Sequence, residues 1–236
     1  THFKGYTSLN QAIQNTDICI QMNGGDGNYI YNNTFYNCGA GVQLERSPYY
    51  YTHSPSELGA DNATIDSNKF YDGGEIADVW IYGNNEAQGT VITNNLFNPS
   101  GGHAIASYAG KTADLLIQDN TIVGGDDAIY LNDVNGFVIE SNTIGGISDA
   151  SSTGINIFRG TGDVTNNTLL DADGGIYLNE MESPPAPTSS LCSISSNSYR
   201  TSTSCSWNLA AGKSADVNFG TDSWGYEISI EILKPD

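Results

Sequence analysis

The chain is 236 residues long and carries 8 Lys and Arg against 27 Asp and Glu, a formal net charge of -19. Its 27 Gly and 25 Asn exclude a helical bundle, which needs Ala, Leu, Glu and Lys instead. The few basic residues cannot build the cationic face that nucleic acid requires, and no long apolar span or Lys/Arg-rich amphipathic stretch points to membrane insertion.

The length suits one large all-β domain, which can bury roughly 70–75% of its unfolded surface. Thr1 to Asn10 lacks the apolar region of a signal peptide, so the chain reads as a mature form or an excised piece. Cys19 and Cys38 lie 19 apart, and Cys192 and Cys205 lie 13 apart. An even count at short spacing fits two disulfides in a secreted or cell-surface protein; four buried thiols are the alternative. Asn32, Asn62 and Asn166 each open an N-x-T sequon, as on a secreted surface. No Cys/His spacing implies a metal, and no cofactor motif is present.

Internal repetition is the dominant signal. In chain order, one motif reads Asn32-Asn33-Thr34-Phe35, Ser67-Asn68-Lys69-Phe70, Asn94-Asn95-Leu96-Phe97, Asp119-Asn120-Thr121-Ile122, Ser141-Asn142-Thr143-Ile144, Asn166-Asn167-Thr168-Leu169 and Ser196-Asn197-Ser198-Tyr199. A second lies between its copies: Ile18-Cys19-Ile20, Val42-Gln43-Leu44, Val79-Trp80-Ile81, Ile105-Ala106-Ser107, Ile129-Tyr130-Leu131, Ile155-Asn156-Ile157 and Ile176-Tyr177-Leu178. Two motifs holding one phase at mostly 21–26 residues fit a coil of a parallel β-helix, about eight coils in all. Alternating apolar residues point inward and stack on the coil below. The central Asn is expected to take the left-handed backbone of a sharp corner and to bond the neighbouring coil through its amide.

The rhythm in Gly175-Ile176-Tyr177-Leu178 and Val138-Ile139-Glu140-Ser141-Asn142-Thr143-Ile144 resembles right-handed parallel β-helix proteins of the carbohydrate-binding and sugar-hydrolase repeat type, over about residues 15–200. That resemblance implies the fold, shared by lyases, hydrolases, epimerases and non-catalytic surface proteins. The acidic, Lys-poor, Tyr-rich character and the Ser47-Pro48-Tyr49-Tyr50-Tyr51 string are similar to disaggregatase-related β-helix modules of methanogenic archaea. The latter resemblance implies action on a chondroitin-like wall polysaccharide.

Stacked coils superpose equivalent residues about 4.8 Å apart. Aligned on the second motif, one outward face carries Trp80, Tyr82, Tyr108, Tyr130, Phe158 and Tyr177. A row of exposed rings suits a sugar, whose apolar face packs on an aromatic; loops covering the face would make it a second core layer. After Glu45 the phase breaks, and Arg46 to Leu58 form an insertion that either walls the groove or stands clear of it. His103 and Asp127 fall at equivalent positions on adjacent coils, with Asp126 beside them and Asp78 diagonal to His103. A carboxylate on an imidazole makes a general base, and carboxylates one or two coils apart would bracket the two glycosidase geometries. A parity conflict stands against this: a strand reaching back to position 103 turns His103 and Asp127 inward, as a buried structural bond. Arg46 and Arg159 share a further column with Asp133 and Glu180, either neutralising a uronate carboxylate or forming a surface ladder of little energetic weight.

From Ser183 the coil is interrupted by Ser183-Pro184-Pro185-Ala186-Pro187. Residues 1–190 are read as coils with the insertion at 46–58, and 191–236 as the last coil and a cap, with the alternating run Tyr226 to Ile232 as its strand. Lys234-Pro235-Asp236 reads as the start of a linker to further domains. The expected function is extracellular cleavage of an acidic or amidated wall glycan, by hydrolysis or elimination, with a non-catalytic carbohydrate-binding or adhesion module as the rival. His103 or Tyr108 would be base or acid, Asp126 and Asp127 the carboxylates and Arg159 the charge neutraliser. Glu45, Arg46, Trp80, Tyr82, Tyr130, Asp133 and Tyr177 would hold the substrate.

Overall fold

The computed structural model describes residues 2–4, 18–23, 25–45, 60–73, 76–82, 88–99, 101–108, 112–147, 152–172, 175–179, 192–200, 206–208 and 216–219. Among them every regular element is a strand and every strand pairing is parallel. The strands stack in three rows. The first runs through Ile18–Asn23, Ala40–Glu45, Ala77–Tyr82, His103–Tyr108 and the early part of Ile129–Glu140. Tyr29–Tyr31, Thr64–Asp66, Val91–Thr93 and Leu116–Gln118 start the second, and Thr34–Tyr36, Lys69–Tyr71, Leu96–Asn98 and Thr121–Val123 form much of the third. The chain visits the rows in turn, which makes a parallel solenoid. It amounts to about five turns, where the motif spacing implies eight coils; the fold class is the same. Arg46, the rest of the 46–58 insertion, the Tyr226–Ile232 run and Cys205 of the proposed Cys192–Cys205 bridge lie outside the described residues.

Apolar residues of all three rows meet inside. Phe35, Phe70 and Phe97 are fully buried on successive rungs, with ring centroids 4.6 and 4.7 Å apart and planes within 9° of parallel. Column packing of this kind lets one residue type serve each level. Gly41 is required by close approach, since a Cβ there would sit 2.6 Å from the Phe70 ring.

The corner motif divides its two jobs between neighbours. The left-handed residue is the one before the central Asn: Asn32, Ser67, Asn94, Asp119, Ser141 and Asn166 all have φ between 54° and 57°. This corrects the expectation that the central Asn takes the strained backbone. That Asn is buried and forms a ladder. Asn95 donates its backbone N–H and its Nδ2 to Asn120 Oδ1, at 2.9 and 3.0 Å. Asn120 does the same to Asn142, and Asn142 to Asn167. Each amide also donates to a strand carbonyl, as Asn120 does to Ile92. Every lone pair and N–H used here is satisfied without water, which removes the usual penalty for a buried amide.

The first-coil register differs from the motif alignment. Ile20-Gln21-Met22, rather than Ile18-Cys19-Ile20, lies beside Val42-Gln43-Leu44. A two-residue slip leaves every side chain on its own face, so alternation alone cannot detect it. Cys19 is disulfide-bonded to Cys38, with Cα atoms 5.8 Å apart. Closing a loop of 19 residues contributes roughly 3 kcal/mol in the chain-entropy picture.

Asp78, placed by column reading near the site, is instead buried within the strand Ala77–Tyr82, 1% exposed. Its Oδ1 lies 2.8 Å from where a Cβ on Gly73 would stand, and Oδ2 has no partner among the described residues. Burial pushes its carboxyl well above the ordinary range. The unfolded chain loses this proton near pH 4, the fold holds it longer, and so stability present below about pH 4 is lost as pH rises through the folded value. Asp78→Asn lacks that loss. Denaturation midpoints of variant minus parent should therefore increase between pH 4 and pH 8, and a flat difference would show that Asp78 is ionised in the fold.

Candidate functional site

The first row presents the outward face singled out by its aromatics. Ala104 and Ile105 are both fully buried, two inward positions in succession. This local bend resolves the parity conflict, because it turns His103 back to the outside. His103 and Tyr108 then lean toward each other over Ala106, which points outward yet is fully covered. The imidazole Nε2 lies 2.8 Å from the Tyr108 hydroxyl, and Nδ1 lies 3.1 Å from the backbone carbonyl of Asp127. A carbonyl only accepts, so Nδ1 carries the proton, and Nε2 of the neutral ring accepts from Tyr108.

Rings close around this pair. His103 stacks on Tyr130 at 5.1 Å and 15°, and Tyr108 lies 5.1 Å from Tyr130. Trp80 meets Tyr108 edge-on at 6.4 Å and Tyr82 at 4.5 Å. Tyr82 is 44% exposed at the rim. Tyr177 stands apart, since Asn156 occupies the rung between it and Tyr130. Burial raises the Tyr108 phenol to about 12, helped by the charges of Tyr130, Asp127 and Asp126. Tyr130 is also raised, by burial first and then by Asp127, while Arg159 opposes the shift.

The expected His103–Asp127 carboxylate bond is absent. Asp127 Oδ1 accepts from Thr153 N and Oγ1, both at 2.7 Å, and Oδ2 accepts from Asn156 Nδ2 at 2.9 Å. The carboxylate is thus engaged on the next rung, and Asp127 meets the imidazole through its main chain. Asp126 is exposed, its N–H held by the Gly102 carbonyl. The two aspartates therefore do not form a facing carboxylate pair across a substrate.

At one end of the face, Glu45 Oε2 accepts from Gln21 and Gln43 amides, each at 2.8 Å. At the other, Arg159 sits beside Asp133 at equivalent corners, with φ of 61° and 62°. Arg159 Nη2 donates to Asn132 Oδ1 at 3.4 Å rather than into the expected Asp133–Glu180 ladder, and its guanidinium lies 5.1 Å from the Phe158 ring centre. Its Nε is buried without a partner among the described residues. Glu180 lies outside those residues. Column reading missed the His103–Tyr108 contact because five residues separate the two along one strand. The signal was Ala106, a small residue in a column otherwise holding Gln43, Trp80 and Tyr130.

Among the described residues, no group of three or more His, Cys, Asp or Glu could hold a metal ion, and no helix is long and apolar enough to cross a membrane. Protein-family comparison matches the right-handed β-helix region over residues 5–122 and over 56–219. No curated protein and no solved structure matches the chain. The likeness to archaeal disaggregatase modules thus gains no support. The family fits a carbohydrate-active or surface-binding domain. With both matches together covering nearly the whole sequence and every row stacked in parallel, the chain belongs to the right-handed β-helix family.

Proposed function

We propose that this is an extracellular polysaccharide-cleaving domain whose first-row face binds an acidic glycan and breaks it by β-elimination. The observation that carries the proposal is the His103–Tyr108 hydrogen bond with its proton direction fixed, set among stacked rings. The disulfide supports an oxidising compartment.

Elimination suits the groups present better than hydrolysis does. Hydrolysis needs two opposed carboxylates, one of them protonated, and Asp127 has both oxygens occupied. Elimination from a uronate needs a proton acceptor at C5 and a cation for the carboxylate beside it. Tyr108 Oη takes the C5 proton as its own proton passes to His103 Nε2. The C5–H electron pair becomes the C4–C5 double bond, and the glycosidic oxygen leaves C4 with its electrons. The proton returns through Tyr108 to that oxygen, so the pair ends as it began. Arg159, near Tyr130, neutralises the carboxylate on which charge develops.

Incubation with uronate-containing and neutral polymers tests this. The expected product is an unsaturated uronate, read by its ultraviolet absorbance. New reducing ends without that absorbance would mean hydrolysis, and retardation on a glycan gel without cleavage would leave a binding module.

A further inference from the structure

A second set of rings stands on other rows. We propose that Tyr29 and Tyr31 form a separate platform for a neutral polysaccharide, independent of the His103–Tyr108 face. Both point outward from Tyr29–Tyr31 in the second row and are 60% and 52% exposed. Their rings lie 5.5 Å apart and within 9° of parallel. Around the corner at Asn32 and Asn33, Tyr36 is 41% exposed and stacks on Tyr71 at 5.3 Å. Core packing does not account for rings this exposed, and exposed rings grouped on neighbouring rows mark a contact surface.

The platform is also held in place. The Tyr29 hydroxyl donates to Asp66 Oδ2 at 3.0 Å, and Asp66 Oδ1 accepts from Ser67 Oγ and Asn94 Nδ2. A ring fixed before binding loses little freedom when a ligand arrives. The surroundings decide the occupant. Thr64, Asp66 and Asn94 border the rings, where a protein interface would carry an apolar core. Asp26, Asp61 and Asp72 stand within three residues of the tyrosines or of their rung partners and, with Asp66, outnumber Lys69, which stands as near. Those charges repel a uronate or sulfate polymer and leave a neutral pyranose free to stack.

Affinity electrophoresis in gels containing a β-glucan, a galactomannan or an α-glucan tests the assignment. At least one should retard the protein. The double variant Tyr29→Ala, Tyr31→Ala should bind about tenfold more weakly, with an unchanged circular dichroism melt. Tyr29→Phe, which keeps the ring, should bind within about threefold of the parent. Retardation by none of the three polymers overturns the proposal, as does equal retardation of the double variant. Loss of binding in Tyr29→Phe overturns stacking as its cause. A concentration-dependent dimer abolished by the double variant would reassign the patch to self-association. None of these results depends on whether the first-row face cleaves a glycan.

Discussion

Asn120→Ala should destabilise the fold by about 3–5 kcal/mol. The substitution removes one acceptor and one amide donor group. Asn95 loses the oxygen that receives both its backbone N–H and its Nδ2. The carbonyls of Ile92 and Gln118 and the Oδ1 of Asn142 lose a donor. Asn120 is 1% exposed, so water cannot replace these bonds, and each stranded buried group costs about 1–3 kcal/mol. The control is its neighbour. Asp119 is exposed at the corner with φ 54°, and Asp119→Gly should change stability by less than about 1 kcal/mol, since glycine accepts that backbone freely. Denaturation followed by circular dichroism reads both. Equal, small losses in the two variants would mean that burial of the inner aliphatic columns, and not the amide ladder, fixes the coil.

The same corner shows how far the sequence could be read. Phase and period reveal the solenoid, because one coil cannot bury its apolar face alone and so repeats the same solution at every level. Asn33, Asn68, Asn95 and Asn120 were identifiable as a column for that reason. Their division of labour with Asn32, Ser67, Asn94 and Asp119 was hidden, since Asn suits both a left-handed corner and a buried amide bond. Local bends were hidden too. The inward turn at Ala104 and Ile105 is a departure from strict alternation, and alternation was the only ruler available. Without that bend, His103 would lie in the core. The partners of Asp127 escaped notice because Thr153 and Asn156 carry no unusual chemistry in the sequence; they matter only through the rung on which they stand. The aromatic face, by contrast, followed from columns alone, and Trp80, Tyr82, Tyr108 and Tyr130 do come together.

His103→Ala and Tyr108→Phe should each lower the elimination rate by about 10²–10⁴-fold, the range of a positioned acid–base group. The reason lies in the direction of the protons. The Asp127 carbonyl fixes the imidazole tautomer, so Nε2 has the lone pair that receives the Tyr108 proton. Without His103 the phenol has no acceptor behind it, and with its ionisation pushed up to about 12 it cannot act as a free tyrosinate at neutral pH. Without the hydroxyl, Nε2 loses the group that relays the C5 proton to it. The two groups act as one relay, so the double variant should be no slower than the worse single variant within about threefold. Asp127→Asn separates the two readings of the aspartate. Its carboxylate clamps Thr153 and Asn156 while its carbonyl meets His103, so the amide should cost about tenfold or less, through a loosened rung. A loss as deep as that of His103→Ala would instead put the Asp127 carboxylate in the reaction, and independent, multiplying losses for His103 and Tyr108 would break the relay.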